Sequence, residues 1–446
     1  MNQTFRSLSI PNYRLWFVGA LVSNIGTWMQ RIAQDWLVLT VLTQNSGVAV
    51  GITTGLQFLP FLLFSAWAGV IADRVDQRRL LIVTQSAAGA LGLGLGALVL
   101  SGHVQLWHVY AFAFALGCVT ALDAPARQVF VAKLVPVENL PNAVGLNSAS
   151  FNGARLIGPA SAGFIIALAG TGWVFIINGL TFIAAIVALV AMKSATMQEM
   201  KRVPRSPGQI REGIRYVKSR ADIVVIMVIV SVVSTFGFNF QLTSALMARV
   251  EFGRGPSDYG IIGSVLAIGS VAGALMAAHR ERVRVRLVIA SAFAFAVASL
   301  ATALAPTFTL YLIACVPLGF FALTMITAAN ATIQTTTEPA MRGRVMALYM
   351  LVFVGATPIG SPIVGFIGEE FGARWAIGIG SIAAFAVALA AAAWSIRHWD
   401  LEVTYHLHRP RIRVLYPHHR AAIEAEREEA RQHLRNQQIE DISNQP

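Results

Sequence analysis

Arg31 and Asp35 stand four residues apart in "NIGTWMQRIAQDWLVL" (24–39), inside a run otherwise apolar enough to cross a membrane. A charge at the middle of a bilayer costs about 2.5–3.5 kcal/mol even on the mildest scale, so charges kept there are candidates for function. The i to i+4 spacing permits an ion pair on one helical face. Asp35 is the only acidic residue well inside any apolar run. It is therefore the candidate for binding and releasing a proton, with Arg31 beside it. Two other roles fit the same residues: a fixed structural pair on the outer part of an overlong helix, and direct contact with a substrate. Ser23, Asn24, Thr27, Gln30 and Gln34 recur with them at steps of three and four. Such a stripe must face protein or water, which makes Asn24, Thr27, Gln30 and Gln34 candidates for lining a central cavity. Asn239 and Gln241, with Ser234 and Ser244, form a weaker echo later in the chain. Arg155 is a further charge inside an apolar run, suited to binding an anionic substrate group, partnering Asp35 or Asn24, or holding two helices together.

The elements that must position these residues follow from composition. Of 446 residues, 56% are hydrophobic and 13% charged, against about 25% charged in a soluble domain. Apolar runs cover 14–42, 48–71, 79–101, 104–126, 141–168, 173–193, 222–248, 258–279, 286–306, 309–332, 341–368 and 374–397. Each is long enough to cross a hydrocarbon core of about 30 Å as a helix. The expectation is an all-α integral membrane protein with twelve transmembrane helices. The short alternating segments of a β-barrel are missing. Cys118 and Cys315 both fall in apolar runs, offering neither a disulfide framework nor a metal site. The first residues lack a short apolar region with a small-residue cleavage site, so the first span is expected to act as the insertion signal.

The net charge of +12 is a topology signal before it is a nucleic-acid signal. Loops after even-numbered spans are basic, from Arg74, Arg78 and Arg79 through Lys201–Lys218 to Arg280, Arg282, Arg284, Arg342 and Arg344. Loops after odd-numbered spans carry few cations, Arg249, Arg254 and Arg374 being the exceptions. The positive-inside rule then puts both termini in the cytoplasm.

The longest polar interruption divides the chain into an N-terminal six-helix bundle (1–193), a cytoplasmic linker (194–221), a C-terminal six-helix bundle (222–397) and a charged tail (398–446). The two bundles repeat each other. "VSNIGTWMQ" (22–30) and "VSTFGFNFQ" (233–241) share Val, Ser, Gly and Gln at an offset of 211. At an offset of 202, Gly117, Gly153, Gly158, Gly163, Gly170 and Trp173 coincide with Gly319, Gly355, Gly360, Gly365, Gly372 and Trp375. Parallel repeats of this kind place a substrate near the midplane between halves that rock about it.

"GVIADRVDQRRLL" (69–81), between the second and third spans, resembles the signature Gly-x-x-x-Asp-Arg-x-Gly-Arg-Lys of the major facilitator superfamily, through Gly69, Asp73, Arg74 and Arg78. Asp76 replaces a Gly and Gln77 a basic residue; Arg79 and Gln77 read as solvated loop residues. The resemblance implies that Asp73 lies against the N-terminus of span 11, which starts near Pro339, and that Asp123 and Arg127 join its charge network. "GLNSASFNGARLIGPASAG" (145–163) resembles the superfamily's antiporter motif through Gly145, Gly158, Pro159 and Gly163, with Ala154 and Ala162 in place of two glycines. Together with "ALDAPARQVFVAKLV" (121–135) it is similar to the branch holding the enterobactin exporter and macrolide and multidrug efflux proteins. The register equivalents of Asp123 and Arg127, Met325 and Ala329, are uncharged, and the Arg usual midway along span 4 of proton antiporters is missing.

The resemblance implies a secondary transporter, not an enzyme, exporting a small amphipathic or siderophore-like molecule, with a proton gradient in place of any cofactor. Its expected setting is a bacterial inner membrane, as a monomer in the lipid bilayer with a small-molecule substrate and no nucleic acid. A proton-coupled uptake symporter, a lipid flippase and a non-transporting membrane sensor are the alternatives. There is no GxxxxGK[ST] loop for ATP. The tail holds six of the nine histidines, without metal-ligand spacing, and "RAAIEAEREEARQHLRNQQ" reads as a charged helix.

Overall fold

The computed structural model describes residues 3–193, 197–198, 209–278, 285–398, 402–406 and 411–415. The linker cations Lys201, Arg202 and Arg205, the loop cations Arg280, Arg282 and Arg284, and the charged helix expected in the tail lie outside them. The chain divides into two compact units, Met1–Phe385 and Ala386–Pro446. The second holds the last turns of α15 (Ala373–His398) and an antiparallel ribbon of β1 (Glu402–His406) and β2 (Arg411–Leu415), with Glu402 opposite Leu415.

In the first unit the apolar runs of the sequence become helices. The first six are α1 (Pro11–Leu37), α2 (Gly47–Arg74), α3 (Gln77–Leu100), α4 (Leu106–Leu134), α5 (Leu140–Ala169) and α6 (Thr171–Ala191). After the short amphipathic α7 (Gln209–Ser219) come α8 (Ala221–Phe236) and α9 (Phe240–Leu246), which together make one span. They are followed by α10 (Pro256–Ala278), α11 (Val285–Leu304), α12 (Phe308–Thr336), and α13 (Pro339–Gly355) with α14 (Thr357–Glu370), again one span. Ten of these spans, and α15 as an eleventh, meet the length and hydropathy of a membrane crossing. Helix α1 occupies the remaining place in the repeat; its polar residues lower its hydropathy, yet its 27 residues are enough to cross at 1.5 Å per residue.

Local chemistry sets the ends. Ser46 caps α2 by accepting from the Ala49 amide at 3.2 Å, and Asp76 caps α3 by accepting from Arg79 N at 2.9 Å, contacts worth about 1 kcal/mol each. Asp76, where the resembled signature has Gly, thus supplies a side-chain acceptor that glycine lacks. The repeat-related Gly170 and Gly372 both turn the chain between spans with left-handed φ of 86° and 99°, a conformation open to glycine at little cost.

Helices α1, α3, α5 and α6 pack together, as do α2 and α4; among the later helices, α10, α11 and α12 form a matching set. The repeated pairs Gly117/Gly319 and Gly158/Gly360 hold equivalent contacts, whereas Gly153 meets nothing and Gly355 meets Leu62. A Cβ at Gly158 would lie 2.6 Å from that of Trp28 on α1, and one at Gly360 would strike the Thr235 backbone on α8.

Contacts between the first six helices and the later ones concentrate where α2 meets α14 and where α5 meets α10. Both lie at the end of the bundle opposite the N-terminus, here the far end. Ser361 donates to the Gly51 carbonyl at 2.9 Å; Glu369 accepts from the Ser46 hydroxyl at 2.6 Å and the Val48 amide at 2.9 Å. Across the other seam Ser264 donates to the Leu156 carbonyl at 2.6 Å, and a Cβ at Gly163 would lie 3.1 Å from Ser257 Cα. Small residues permit this approach of backbones, which in lipid substitutes packing and hydrogen bonds for the hydrophobic effect. Nearer the N-terminal end, a Cβ at Gly145, Gly153 or Gly343 would meet nothing within 4 Å.

Candidate functional site

The polar stripe on α1 resolves into two faces, because 3.6 residues per turn does not keep all its members in line. Gln30 accepts a hydrogen bond from Asn178 on α6, and Gln34 donates to Gln57 on α2 at 3.4 Å. Both glutamines are buried, at 4% and 1% exposure, and serve the first bundle's own packing. Ser23 turns to the Ala20 carbonyl at 3.2 Å. The second face carries Asn24, Thr27, Trp28 and Arg31, all half-buried, followed by a continuously buried run from Ile32 to Leu39. This change in burial marks where the far-end seal begins.

Asp35 lies inside that seal. No ion pair joins it to Arg31; among the described residues the ion pairs are Asp123–Arg127, Arg220–Asp222, Arg344–Glu212 and Arg374–Glu251. The Asp35 carboxylate instead accepts from the Tyr259 hydroxyl on α10 at 3.3 Å, and the Gln241 carbonyl, 3.2 Å from the same hydroxyl, is a second acceptor for its one proton. Tyr259 stacks on Trp36, ring centroids 5.7 Å apart. Tyr259 is fully buried, and a lone tyrosine in an apolar run carries no signal that it will meet a carboxylate 224 residues away.

Arg31 turns to rings. Its guanidinium lies 4.9 Å from the Trp28 centroid and 5.5 Å from that of Phe58 on α2. Arg155, held level by the close approach at Gly158, lies 5.6 Å from the same Trp28 ring.

In the second half the counterpart of α1 is interrupted. Gly237, equivalent to Gly26, ends α8, and Asn239 starts α9. The break leaves Ser234 Oγ, Asn239 Oδ1 and Gln241 Nε2 buried without a hydrogen-bond partner among the described residues, beside a small cleft lined by Phe236, Gly237, Phe240 and Tyr311. Interrupted helices with free polar groups line sites in transporters generally. Asn239 and Gln241 are therefore placed at such a break.

The loop signature divides its labour. Gly69, Asp73 and Arg74 lie on the last turns of α2; the Asp73 side chain is outside what the structure describes. Arg78 caps the end of α6, donating to the Leu189 carbonyl at 2.7 Å and that of Val190 at 2.9 Å. Gln77 is not solvated: it is 6% exposed, donates to the Ala72 carbonyl at 2.8 Å and accepts from Lys133 at 2.5 Å. A neutral amide here can both give and take, which a basic residue cannot. Asp123 binds Thr84 and Gln85 of α3, each at 2.7 Å, and pairs with Arg127, whose guanidinium lies 5.5 Å from the Trp16 ring. In the antiporter motif Gly158 meets α1, while Pro159 and Gly163 meet α10; Gly145 stands apart in open space.

A family model described as transmembrane secretion effector matches residues 2–430. The chain belongs to the major facilitator superfamily. This transporter is 24% identical over 364 residues to the staphyloferrin A transporter of Staphylococcus aureus, covering 80% of the chain and 90% of that protein. It is 21% identical over 368 residues to an enterobactin exporter of Shigella boydii, covering 80% and 85%. Its fold matches the crystal structure of a POT family transporter, PepTSo, with a TM-score of 0.69 at 11% identity over 87% of this chain and 98% of that one. The transporter is accordingly not an enzyme.

Proposed function

We propose that the chain exports a small amphipathic or siderophore-like solute from the cytoplasm of a bacterial cell by alternating access, in exchange for protons, as a monomer with both termini cytoplasmic. The observation that carries this reading is the hydrogen bond from Tyr259 on α10 to Asp35 on α1. The one carboxylate well inside the spans is part of the contact that seals the far end. When that seal opens, the surroundings of the carboxylate change, which is the physical requirement for coupling a proton to the movement. The basic loops favour the N-terminal end as the cytoplasmic one, so the far-end seal faces outward and solute enters from the cytoplasm. Siderophore-like cargo is supported by the relatives named for staphyloferrin A and enterobactin.

The test is accumulation of labelled siderophores and macrolides in inside-out vesicles under an imposed gradient, acid inside. Uptake accompanied by proton release from the lumen, lost in Asp35→Asn, is expected. Solute and proton moving the same way would make the chain a symporter. Movement of labelled lipid alone would make it a flippase, and no movement of any probe would leave a sensor.

A further inference from the structure

Trp28 stands between two guanidiniums. Arg31 lies 4.9 Å and Arg155 5.6 Å from its ring centroid. Arg31 Nε is buried without a hydrogen-bond partner, and neither arginine has an ion pair or a hydrogen bond among the described residues. Asp35, the carboxylate that sequence spacing offers them, is engaged by Tyr259 at 3.3 Å. Cations over a ring face are attracted by its quadrupole, but the ring accepts none of the in-plane N–H bonds that a guanidinium presents. Two forks with idle donors therefore approach the same ring within the bilayer, carrying more positive charge than the site's one carboxylate can balance.

We infer that Arg31, Arg155 and Trp28 form a subsite for an oxyanion, and that the transported solute is an organic carboxylate. The planar fork of arginine matches a carboxylate in two parallel bonds, which a compact ammonium would not do. The surrounding rings fit the rest of such a solute: Phe58 lies over Arg31 at 5.5 Å, and Phe151 packs edge-on to Trp28 at 5.7 Å. The site is also reachable. Arg31, Trp28 and Arg155 are all half-buried, and Asn24 and Thr27 continue the same face of α1 below them. The site lies at the lower edge of the far-end seal, where a bound anion would touch both α1 and α5.

This inference rests on the transport reading, and binding separates the two. The purified full chain in phosphatidylcholine nanodiscs is titrated with carboxyfluorescein, and with rhodamine 123 as a cationic dye of similar size, following fluorescence anisotropy. Carboxyfluorescein is expected to bind, to be displaced by citrate more effectively than by chloride, and to bind at least tenfold more weakly to Arg31→Gln and to Arg155→Gln. Arg31→Lys and Arg155→Lys, which keep the charge and control for folding, are expected to recover part of the affinity. No binding of carboxyfluorescein, preference for rhodamine 123, or binding unchanged in both glutamine variants would overturn the subsite. Loss of dye binding when phosphatidylglycerol is added would assign the site to lipid phosphate and overturn the solute reading. Dye binding without movement of dye or labelled citrate in proteoliposomes would leave the oxyanion subsite standing and overturn the statement that the transported solute is a carboxylate, whereas the transport reading itself falls only if the labelled siderophores and macrolides also fail to move.

Discussion

Asp123 shares its carboxylate among three partners, Arg127, Thr84 and Gln85, and its removal should be felt in stability. Asp123→Ala would leave Arg127, Thr84 and Gln85 without the acceptor they share. Thr84 can fall back on the Leu81 carbonyl at 3.1 Å, but stranding a partly buried cation and the Gln85 amide is expected to cost on the order of 3 kcal/mol, read as a lower midpoint in thermal unfolding of the detergent-solubilised protein. Tyr259→Phe tests a different quantity. It keeps the ring stacked on Trp36 and removes only the hydroxyl that reaches Asp35. Stability should change by about 1 kcal/mol, whereas proton flux per solute moved should fall severalfold in a vesicle assay. Unchanged coupling in a well-folded Tyr259→Phe would sink the role given to this contact.

At the scale of elements, the far-end seal depends on small residues in step. Gly47, Gly51 and Gly55 are spaced four apart on α2 and face Ser361, Pro362 and Gly365 on α14. Side chains cannot be added on that face without parting the helices. Gly51→Leu is expected to shift the protein away from the sealed arrangement. Spin labels at Asn45 and Phe371, beside the seal, should then report a longer distance for most molecules, where the unsubstituted protein gives a short one. This glycine series is visible in "GVAVGITTG" as a small-xxx-small pattern, but the pattern does not name its partner. The antiporter motif carries a similar ambiguity: its last three positions lie at the contacts with α1 and α10, while Gly145 touches nothing.

For the whole molecule, the orientation proposed from the basic loops has a direct check. Single cysteines at Ser101 and Phe371, at the far end, should react with a membrane-impermeant maleimide in intact cells, and one at Lys193 only after the cells are opened. The opposite pattern would reverse the direction of export. Much of the architecture was legible in advance, since the spans, the internal repeat and the superfamily signature all rest on local composition. The pairs Gly117/Gly319 and Gly158/Gly360 recur at matching contacts because each repeat packs by the same small-residue rule. The site was legible only in its membership. Sequence spacing put Arg31 opposite Asp35 on one face, yet which of several neighbours a side chain chooses depends on helices hundreds of residues away. Tertiary structure gave Asp35 to Tyr259, Arg31 to Trp28 and Phe58, and Gln30 to Asn178. The sequence by itself thus determined which segments cross the membrane and which residues there are polar, because hydropathy and period are properties of neighbours along the chain. Only the packed helices decided which of those polar groups are satisfied and which remain free, because in lipid a polar group that does not bond back to its own helix must find its partner on another.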